Sequence, residues 1–207
     1  MLATVSMFGH LADEVTDQDA ITVLDLHIAN WFNTHHAEPY TSLLMGVSIA
    51  HTVGGMLLLV AAFGLWLWRR QQRYWLLALG ATVVPGMILN VLLKQVYQRS
   101  RPWFEEPLVT LSTYSFPSGH TAAATLFYGL LASYLMIACK GWSVRLATAA
   151  GCLLMIFLVA FSRVYLGAHY LSDVLAAMAS SVAWLTICIT AISTLRRRRE
   201  ARSLAQQ

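Results

Sequence analysis

Three short stretches of the chain carry side chains that could bind and attack an anionic group. They are KQVYQRSRP at residues 94–102, FPSGH at 116–120 and SRVYLGAHYLSD at 162–173. Each stands beside long apolar runs, where ionisable side chains are costly and by default indicate a functional site. We therefore predict that the three stretches meet at one membrane face and form a phosphate site with a histidine nucleophile.

The third stretch contains a histidine and a carboxylate at helical spacing. His169 and Asp173 are four residues apart, so they would be neighbours on one face of a helix. A carboxylate that accepts the Nδ1–H of a histidine fixes its tautomer and leaves Nε2 free as a nucleophile. Arg163, six residues before His169, could hold the phosphate that Nε2 attacks. The alternative interpretation is a buried His–Asp pair that only stabilises packing.

The first stretch supplies two further cations. Lys94 and Arg101 are seven residues apart, about two helical turns, and would share one face of a continuous helix that Pro102 ends. Arginine binds phosphate oxygens with a planar fork, and lysine binds them as a point charge. Alternatively, the two side chains are interfacial cations that reach the lipid headgroups.

The second stretch reads as the beginning of a helix. Ser118 is a favourable N-cap residue, and a helix N-terminus offers free backbone N–H groups to an anion. Gly119 would let the backbone approach that anion closely, and His120 would lie beside it as a proton donor. The alternative is an ordinary capped start of a membrane helix.

The elements that must position these residues are membrane helices. Of the 207 residues, 57% are hydrophobic and 12% are charged, and the mean hydropathy is +0.58. Soluble domains carry about 25% charged residues, so the composition indicates an integral membrane protein. We predict an all-α polytopic bundle of about five transmembrane helices, at about 42–68, 74–93, 120–139, 146–161 and 171–195.

The N-terminal region differs in composition from the rest. Residues 1–40 contain no Lys or Arg, and Ile21, Leu24, Ile28, Trp31 and Phe32 recur at roughly helical spacing. This pattern predicts an amphipathic helix on the membrane surface, whereas residues before about 18 are expected to be disordered. We therefore divide the chain into an N-terminal tail and surface helix at 1–40, a transmembrane domain at 41–195 and a basic tail at 196–207.

The basic residues predict the orientation of the spans. The segments 69–73 and 140–145 and the tail after residue 195 hold ten of the fourteen Lys and Arg residues. Loops rich in Lys and Arg stay in the cytoplasm, so these segments and the C-terminus are predicted to be cytoplasmic. Five spans then put the N-terminus and the three polar stretches outside, which in a bacterium is the periplasmic face of the inner membrane.

The three stretches together resemble the signature of the type 2 phosphatidic acid phosphatase family. The resemblance lies in Lys94-x6-Arg101-Pro102, Pro117-Ser118-Gly119-His120 and Ser162-Arg163-x5-His169-x3-Asp173, which match at every position and in the same order. It covers residues 94–173, and the five spans are similar to those of the shorter bacterial members. The combination is far more specific than any one stretch.

The resemblance implies a role for each of these residues. The phosphate would be bound by Lys94, Arg101, Ser118, Gly119 and Arg163. His169 would attack phosphorus to form a phosphohistidine, and Asp173 would orient His169. His120 would protonate the leaving oxygen and then activate water. The family uses no metal, so no cofactor is expected, and positioning with fixed cations would supply the catalysis.

The substrate implied by the resemblance is a lipid phosphate. Undecaprenyl pyrophosphate is favoured because the short five-span form resembles enzymes of that activity, and phosphatidylglycerol phosphate and phosphatidic acid are the alternatives. A lipid phosphotransferase would use the same residues, and a lipid transporter could bind the phosphate without chemistry. Membrane lipids are expected partners, no nucleic acid is expected, and the oligomeric state stays open.

Overall fold

The computed structural model describes residues 1–204, within which there are eight α-helices and no β-strand. This all-helical architecture confirms the predicted fold class. The helices are α1 (Leu2–Asp17), α2 (Ala20–His35), α3 (Tyr40–Ala50), α4 (Val53–Arg69), α5 (Arg73–Tyr97), α6 (Gly119–Ala138), α7 (Trp142–Tyr165) and α8 (Leu171–Leu204).

Four of these helices, α5 to α8, are each long and apolar enough to cross a membrane. Helices α3 and α4 pass the same test only as a pair that is bent by 57°. The predicted first span is therefore broken near its middle. At the break the backbone of Gly55 approaches the carbonyl of Ala50 so closely that a Cβ would lie 1.9 Å from its oxygen, so this position requires glycine.

Helix α6 lies at the centre of the bundle and packs against α5, α7 and α8. Its first two turns, residues 121–127, are entirely buried and contain three consecutive alanines, which let the neighbouring backbones approach closely. Further along, Phe127 and Leu130 join a core cluster with Leu67, Leu79 and Leu185. The site residues at the start of α6 are thus fixed by packing on several sides.

Gly86 in α5 provides a test of this packing. A Cβ at Gly86 would lie 2.6 Å from Leu126 Cδ1 and 3.0 Å from Trp184 Cδ1, and both side chains are held within the bundle. We expect Gly86→Ala to lower the free energy of unfolding by about 1–3 kcal/mol through overpacking. The measurement is thermal unfolding in detergent. Gly80→Ala in the same helix is the control, because within the described chain no side chain and no neighbouring helix comes within 4 Å of its Cβ position. An equal effect at both positions would contradict the proposed close packing.

The N-terminal region is ordered, so the predicted disorder before residue 18 is wrong. Leu11, Ala12 and Val15 form a buried stripe on α1 that packs against Phe116 and Ala176. This stripe is short and lies among polar residues, so its burial becomes apparent only from its packing against α8. Helix α2 exists as predicted, but it is more than a surface element because Asp25 is fully buried.

The C-terminal part of the chain forms one long helix. Helix α8 continues without interruption from the predicted fifth span into the predicted basic tail, up to Leu204. Residues 205–207 of that tail lie outside the described part of the chain.

Candidate active site

The three polar stretches lie at one end of the helical bundle. Lys94 is near the end of α5, Ser118 precedes α6, Arg163 is in the last turn of α7 and Asp173 is in the first turn of α8. The basic segments at 69–73 and 140–145 lie at the opposite ends of the same helices. The alternating direction of the spans therefore brings together residues that are far apart in sequence.

A cavity of about 510 Å³ connects these stretches to the surface of the bundle. Five of the predicted site residues line one end of it, namely Lys94, Arg101, Gly119, His120 and His169. The other three, Ser118, Arg163 and Asp173, are buried behind this end. The rest of the lining is mainly apolar and comes from α4 and α5. We call this cavity the apolar groove.

The hydrogen bonds of His169 assign its tautomer. Arg101 Nη1 lies 3.1 Å from His169 Nε2, and a guanidinium can only donate, so Nε2 must accept. The proton then resides on Nδ1, which lies 3.3 Å from Asp173 Oδ2. This is the tautomer that leaves an Nε2 lone pair for attack, and it agrees with the arrangement expected from the sequence.

His169 is neutral in this environment. Its side chain is 1% exposed, and burial lowers its pKa to about 3, although the neighbouring Asp173 carboxylate acts in the opposite direction. The lowered pKa agrees with the hydrogen bond from Arg101, which requires an unprotonated Nε2. The His169–Asp173 contact is therefore a hydrogen bond between a neutral ring and a carboxylate, with Nε2 accepting from Arg101.

The prediction that His169 and Asp173 share a helix face is wrong in detail. Helix α8 begins at Leu171, so His169 lies just before it. Asp173 Oδ2 accepts the backbone N–H of Tyr170 at 2.9 Å, as an acidic residue in the first helical turn often does. The helix start, rather than a helical face, holds the carboxylate beside the imidazole.

A tight turn connects Arg163 to His169. The carbonyl of Arg163 accepts the N–H groups of Ala168 at 3.0 Å and His169 at 3.2 Å. Gly167 has φ of +64° within this turn, and a Cβ there would lie 2.7 Å from the ring of Phe104. Glycine is required for both reasons. The turn fixes His169 relative to the end of α7.

Lys94 and Arg101 converge without a continuous helix, which corrects the predicted geometry. Helix α5 ends at Tyr97, and Gln98 has φ of 43°. Both cations then point toward one loop. Lys94 donates to the carbonyl of Tyr114 at 2.6 Å, and Arg101 donates to those of Thr113 at 2.6 Å and Ala168 at 2.6 Å. Carbonyl oxygens thus accept hydrogen bonds from both cations.

The second stretch forms the predicted capped helix start. Ser118 is the N-cap of α6, and its Oγ accepts from the Thr121 backbone N–H at 3.5 Å. The backbone N–H of Ser118 donates to the carbonyl of Asp173 at 3.1 Å, which joins the starts of α6 and α8. Asn90 Nδ2 donates to the carbonyl of Pro117 at 3.5 Å. These contacts fix the start of α6, whose Gly119 and His120 line the same cavity as His169.

Among the described residues 1–204, two side chains of the site have buried polar atoms for which no hydrogen-bond partner is found. They are Arg163, at Nε and Nη2, and His120, at Nε2. Arg163 is 1% exposed and donates only through Nη1, to Ser48 Oγ. Leaving a buried charged donor unsatisfied is costly, which points to a ligand that completes these bonds. A phosphate group matches the donors.

The sequence did not predict three side chains that are linked to Asp173 by direct or shared contacts. Ser115 Oγ donates to Asp173 Oδ2, and Arg99 Nη1 donates to Asp173 Oδ1 at 2.7 Å. Arg99 also pairs with Asp25 of α2. Arg99 was visible as an unexplained cation beside the signature residues. Ser115 and Asp25 carry no spacing signal that links them to His169.

Comparison with known proteins decides the family. The PAP2 superfamily model matches residues 74–197, which is more than half of the chain and includes all three stretches. This chain belongs to the PAP2 superfamily. The resemblance inferred from the signature residues is thereby confirmed, and the chain is a multi-pass membrane protein of this superfamily.

Two PAP2 relatives come from Bacillus subtilis (strain 168). Undecaprenyl-diphosphatase BcrC is 30% identical over 157 residues, which covers 72% of this chain and 73% of that protein. Phosphatidylglycerophosphatase B is 41% identical over 91 residues, which covers 42% of this chain and 43% of that protein. This second match therefore spans less than half of the relative's length.

Two solved structures share the fold. The crystal structure of a transmembrane PAP2-type phosphatidylglycerolphosphate phosphatase from Bacillus subtilis has a TM-score of 0.81 at 25% identity, covering 94% of this chain and 98% of that one. The crystal structure of Aquifex aeolicus LpxE has a TM-score of 0.65 at 20% identity, covering 81% of this chain and 95% of that one. The first similarity confirms a transmembrane PAP2 architecture, and the second shows the fold alone.

Proposed function

We propose that this PAP2 protein is a membrane lipid phosphatase that cleaves a phosphate from a lipid through a phosphohistidine on His169. The observation that carries the proposal is that His120 and His169 line one end of the apolar groove, while His120 Nε2 and two guanidinium nitrogens of Arg163 are buried without a hydrogen-bond partner among residues 1–204. The PAP2 membership and the two phosphatase-named relatives support the same activity.

The proposed reaction has two steps. In the first, His169 Nε2 attacks the terminal phosphorus, the bond from phosphorus to the leaving oxygen breaks, and His120 gives that oxygen a proton. In the second, His120 takes a proton from water, the water oxygen attacks phosphorus, and the bond to Nε2 breaks to release inorganic phosphate. Asp173 holds the Nδ1 proton throughout and stabilises the charged ring.

The cations are proposed to stabilise the phosphoryl group in both steps. Phosphate oxygens would take the place of the present protein partners of Lys94 and Arg101, and they would supply the partners that Arg163 lacks. Ser118 and the Gly119 amide would also bind the phosphate. Phosphoryl transfer depends mainly on such positioning and charge stabilisation. Within residues 1–204, no group of three His, Cys, Asp or Glu side chains is placed to hold a metal ion. Metal independence stays a prediction, and EDTA tests it.

The apolar groove supports a lipid substrate. Its outer lining includes Val53, Leu57, Val84 and Ile88, which are all more than half exposed on the surface of α4 and α5. An apolar surface of this kind on a membrane helix faces the bilayer. A lipid could therefore place its tail along the groove with its phosphate at His169. Entry would be lateral, from the membrane.

Undecaprenyl diphosphate is the favoured substrate, because the relative named for that activity is matched over 73% of its length. Phosphatidylglycerophosphate is the second candidate, because the structure covered at 98% is described by that activity. The charge pattern of the loops supports a site on the periplasmic face and a cytoplasmic C-terminus, since the basic segments lie at the opposite ends of the helices.

Phosphate release by the purified protein in detergent tests the proposal. Undecaprenyl diphosphate, phosphatidylglycerophosphate and phosphatidic acid are compared, each with and without EDTA. We expect the highest kcat/KM for undecaprenyl diphosphate and no loss in EDTA. A higher value for phosphatidylglycerophosphate would select the second candidate. No release from any of the three would reject the phosphatase and favour a phosphotransferase or a transporter.

The effect of His120→Asn on kcat should depend on whether the leaving group of the substrate needs a proton. With a lipid diphosphate we expect kcat to fall by about 10²- to 10⁴-fold, because the leaving oxygen loses its proton donor. With p-nitrophenyl phosphate, whose leaving group needs no proton, formation of the phosphoenzyme should be nearly normal and only its hydrolysis slow. Stopped-flow absorbance should then show a burst of one nitrophenolate per protein. His36→Asn, at an exposed histidine, is the control. Equal losses with both substrates and no burst would exclude His120 as the proton donor.

A further inference from the structure

We propose that Asp25 and Arg99, which lie outside the three signature stretches, are positioning residues that set the orientation of Asp173 and, through it, of His169. This role rests on the proposed phosphatase function. It would make the N-terminal helix α2 part of the active site, although Asp25 is 147 residues away from Ser172 in sequence.

Arg99 lies between two buried carboxylates. Its Nη1 donates to Asp173 Oδ1 at 2.7 Å, and its Nη2 donates to Asp25 Oδ2 at 2.8 Å. Both aspartate side chains are 0% exposed, and that of Arg99 is 12% exposed. The Arg99 guanidinium also lies 4.2 Å from the centre of the Tyr170 ring. The guanidinium is therefore held on three sides.

Asp25 is attached directly to the start of α8. Its Oδ1 accepts the backbone N–H of Ser172 at 2.9 Å, and its Oδ2 accepts the Ser172 hydroxyl. Ser172 Oγ in turn accepts from Arg99 Nη1 at 2.7 Å. A buried carboxylate is tolerated only when it is paired in this way. Asp25 thus fixes both the first turn of α8 and the direction of the Arg99 fork.

The two oxygens of Asp173 have different partners. Oδ1 accepts from Arg99, whereas Oδ2 accepts from Ser115, from the backbone N–H of Tyr170 and from His169 Nδ1. Because Arg99 divides its fork between two carboxylates, it takes only one oxygen of Asp173. The other oxygen remains directed at the imidazole.

Removal of the Asp25 charge should change how the Arg99 guanidinium is shared between the carboxylates of Asp25 and Asp173. A guanidinium fork favours bidentate pairing with a single carboxylate. Without Asp25 as its second partner, Arg99 can turn to contact both oxygens of Asp173 and compete with His169 for Oδ2. The imidazole would then lose its orientation and its fixed tautomer. The expected consequence is a lower rate of chemistry rather than weaker substrate binding.

The charge state of Arg99 agrees with this geometry. Burial opposes its positive charge, but the Asp173 and Asp25 carboxylates outweigh burial, so the pKa of Arg99 is raised. The guanidinium is charged at any pH at which the enzyme would be assayed.

The test compares four forms of the full chain in detergent: wild type, Asp25→Asn, Asp173→Asn and the double variant. Radiolabelled phosphate release keeps the residual activity of Asp173→Asn measurable. In the wild-type background we expect Asp25→Asn to lower kcat by about 10- to 100-fold, as for other residues that orient a catalytic side chain, with KM nearly unchanged. In the Asp173→Asn background it should lower kcat by no more than about twofold, because its effect passes through Asp173.

Arg99→Lys provides a second variant, in case Asp25→Asn does not fold. It keeps a positive charge between the carboxylates but loses the fork, and we expect the same dependence on the Asp173 background. Asp13→Asn and Arg73→Lys, both at exposed positions, are the matched controls and should retain wild-type kcat.

The outcomes separate this role from the proposed function. A folded Asp25→Asn or Arg99→Lys protein with wild-type kcat, or one with equal losses in both backgrounds, would overturn the positioning role while leaving the phosphatase intact. A wild-type protein that releases no phosphate would overturn the proposed function and the positioning role together.

Discussion

His169→Ala is expected to lower kcat for phosphate release by about 10⁴-fold or more, since loss of the nucleophile removes the covalent route. The Asp173 contact places the proton of His169 on Nδ1, so Nε2 carries a lone pair. That lone pair accepts from Arg101 Nη1 in this structure and would be released for attack when Arg101 turns to the phosphate. The His169→Ala variant should fold, because the neutral imidazole that it loses makes no ion pair. The measurement is phosphate release from undecaprenyl diphosphate in detergent, with equal amounts of folded protein judged by gel filtration.

The matched control for this prediction is His27→Ala, at an exposed histidine of α2, which should behave as wild type. If His169→Ala retained more than a tenth of the wild-type kcat, a phosphohistidine could not be on the main path. A protein that bound lipid phosphate without hydrolysing it, such as a transporter, would then be the better account.

Arg163→Met is expected to make the protein more stable and almost inactive. Arg163 is 1% exposed, and two of its guanidinium nitrogens have no partner. Replacing a poorly satisfied buried charge by an apolar side chain of similar length often stabilises a protein, here by about 1–4 kcal/mol. Ser48, its remaining partner, can turn its hydroxyl toward a carbonyl of its own helix. The measurement is the thermal unfolding midpoint in detergent.

The activity of Arg163→Met should fall even though its stability rises. Loss of one preorganised donor to a developing anion costs about 10²- to 10³-fold in kcat. Vanadate, a mimic of the transferring phosphoryl group, should raise the unfolding midpoint of the wild type but not of the variant, because only the wild type binds it tightly. Arg73→Met, at an exposed arginine, is the control. A destabilised but active Arg163→Met protein would show that Arg163 stabilises the fold and does not bind phosphate.

The sequence was sufficient to predict the helical spans and the convergence of the three stretches. Long apolar runs in the sequence indicate membrane-spanning helices. Because successive helices alternate in direction, residues 94, 118, 163 and 173 lie at one end of the bundle. The N-cap role of Ser118 also followed from local chemistry. These features depend on interactions that are close in sequence or on the number of spans.

The features that were missed depend on contacts between distant parts of the chain. The order of α1 comes from packing of Leu11 and Val15 against α8, which no local pattern encodes. The end of α5 at Tyr97 separates Lys94 from Arg101, and the loop carbonyls rather than a helix bring them together. Asp25 is a single polar residue between the apolar positions of α2, and only the folded bundle shows its contact with Ser172.

The most direct test of the central claim is the capture of the covalent intermediate. His120→Asn protein would be mixed with labelled p-nitrophenyl phosphate, whose leaving group needs no proton, so that the phosphoenzyme forms while its hydrolysis is slow. The sample would be quenched in alkali after one turnover and digested for mass spectrometry. We expect phosphate on the peptide that contains His169, and none when His169→Ala is added to the same protein. Phosphate released without any labelled protein, or label that persists in the double variant, would contradict a phosphohistidine at His169.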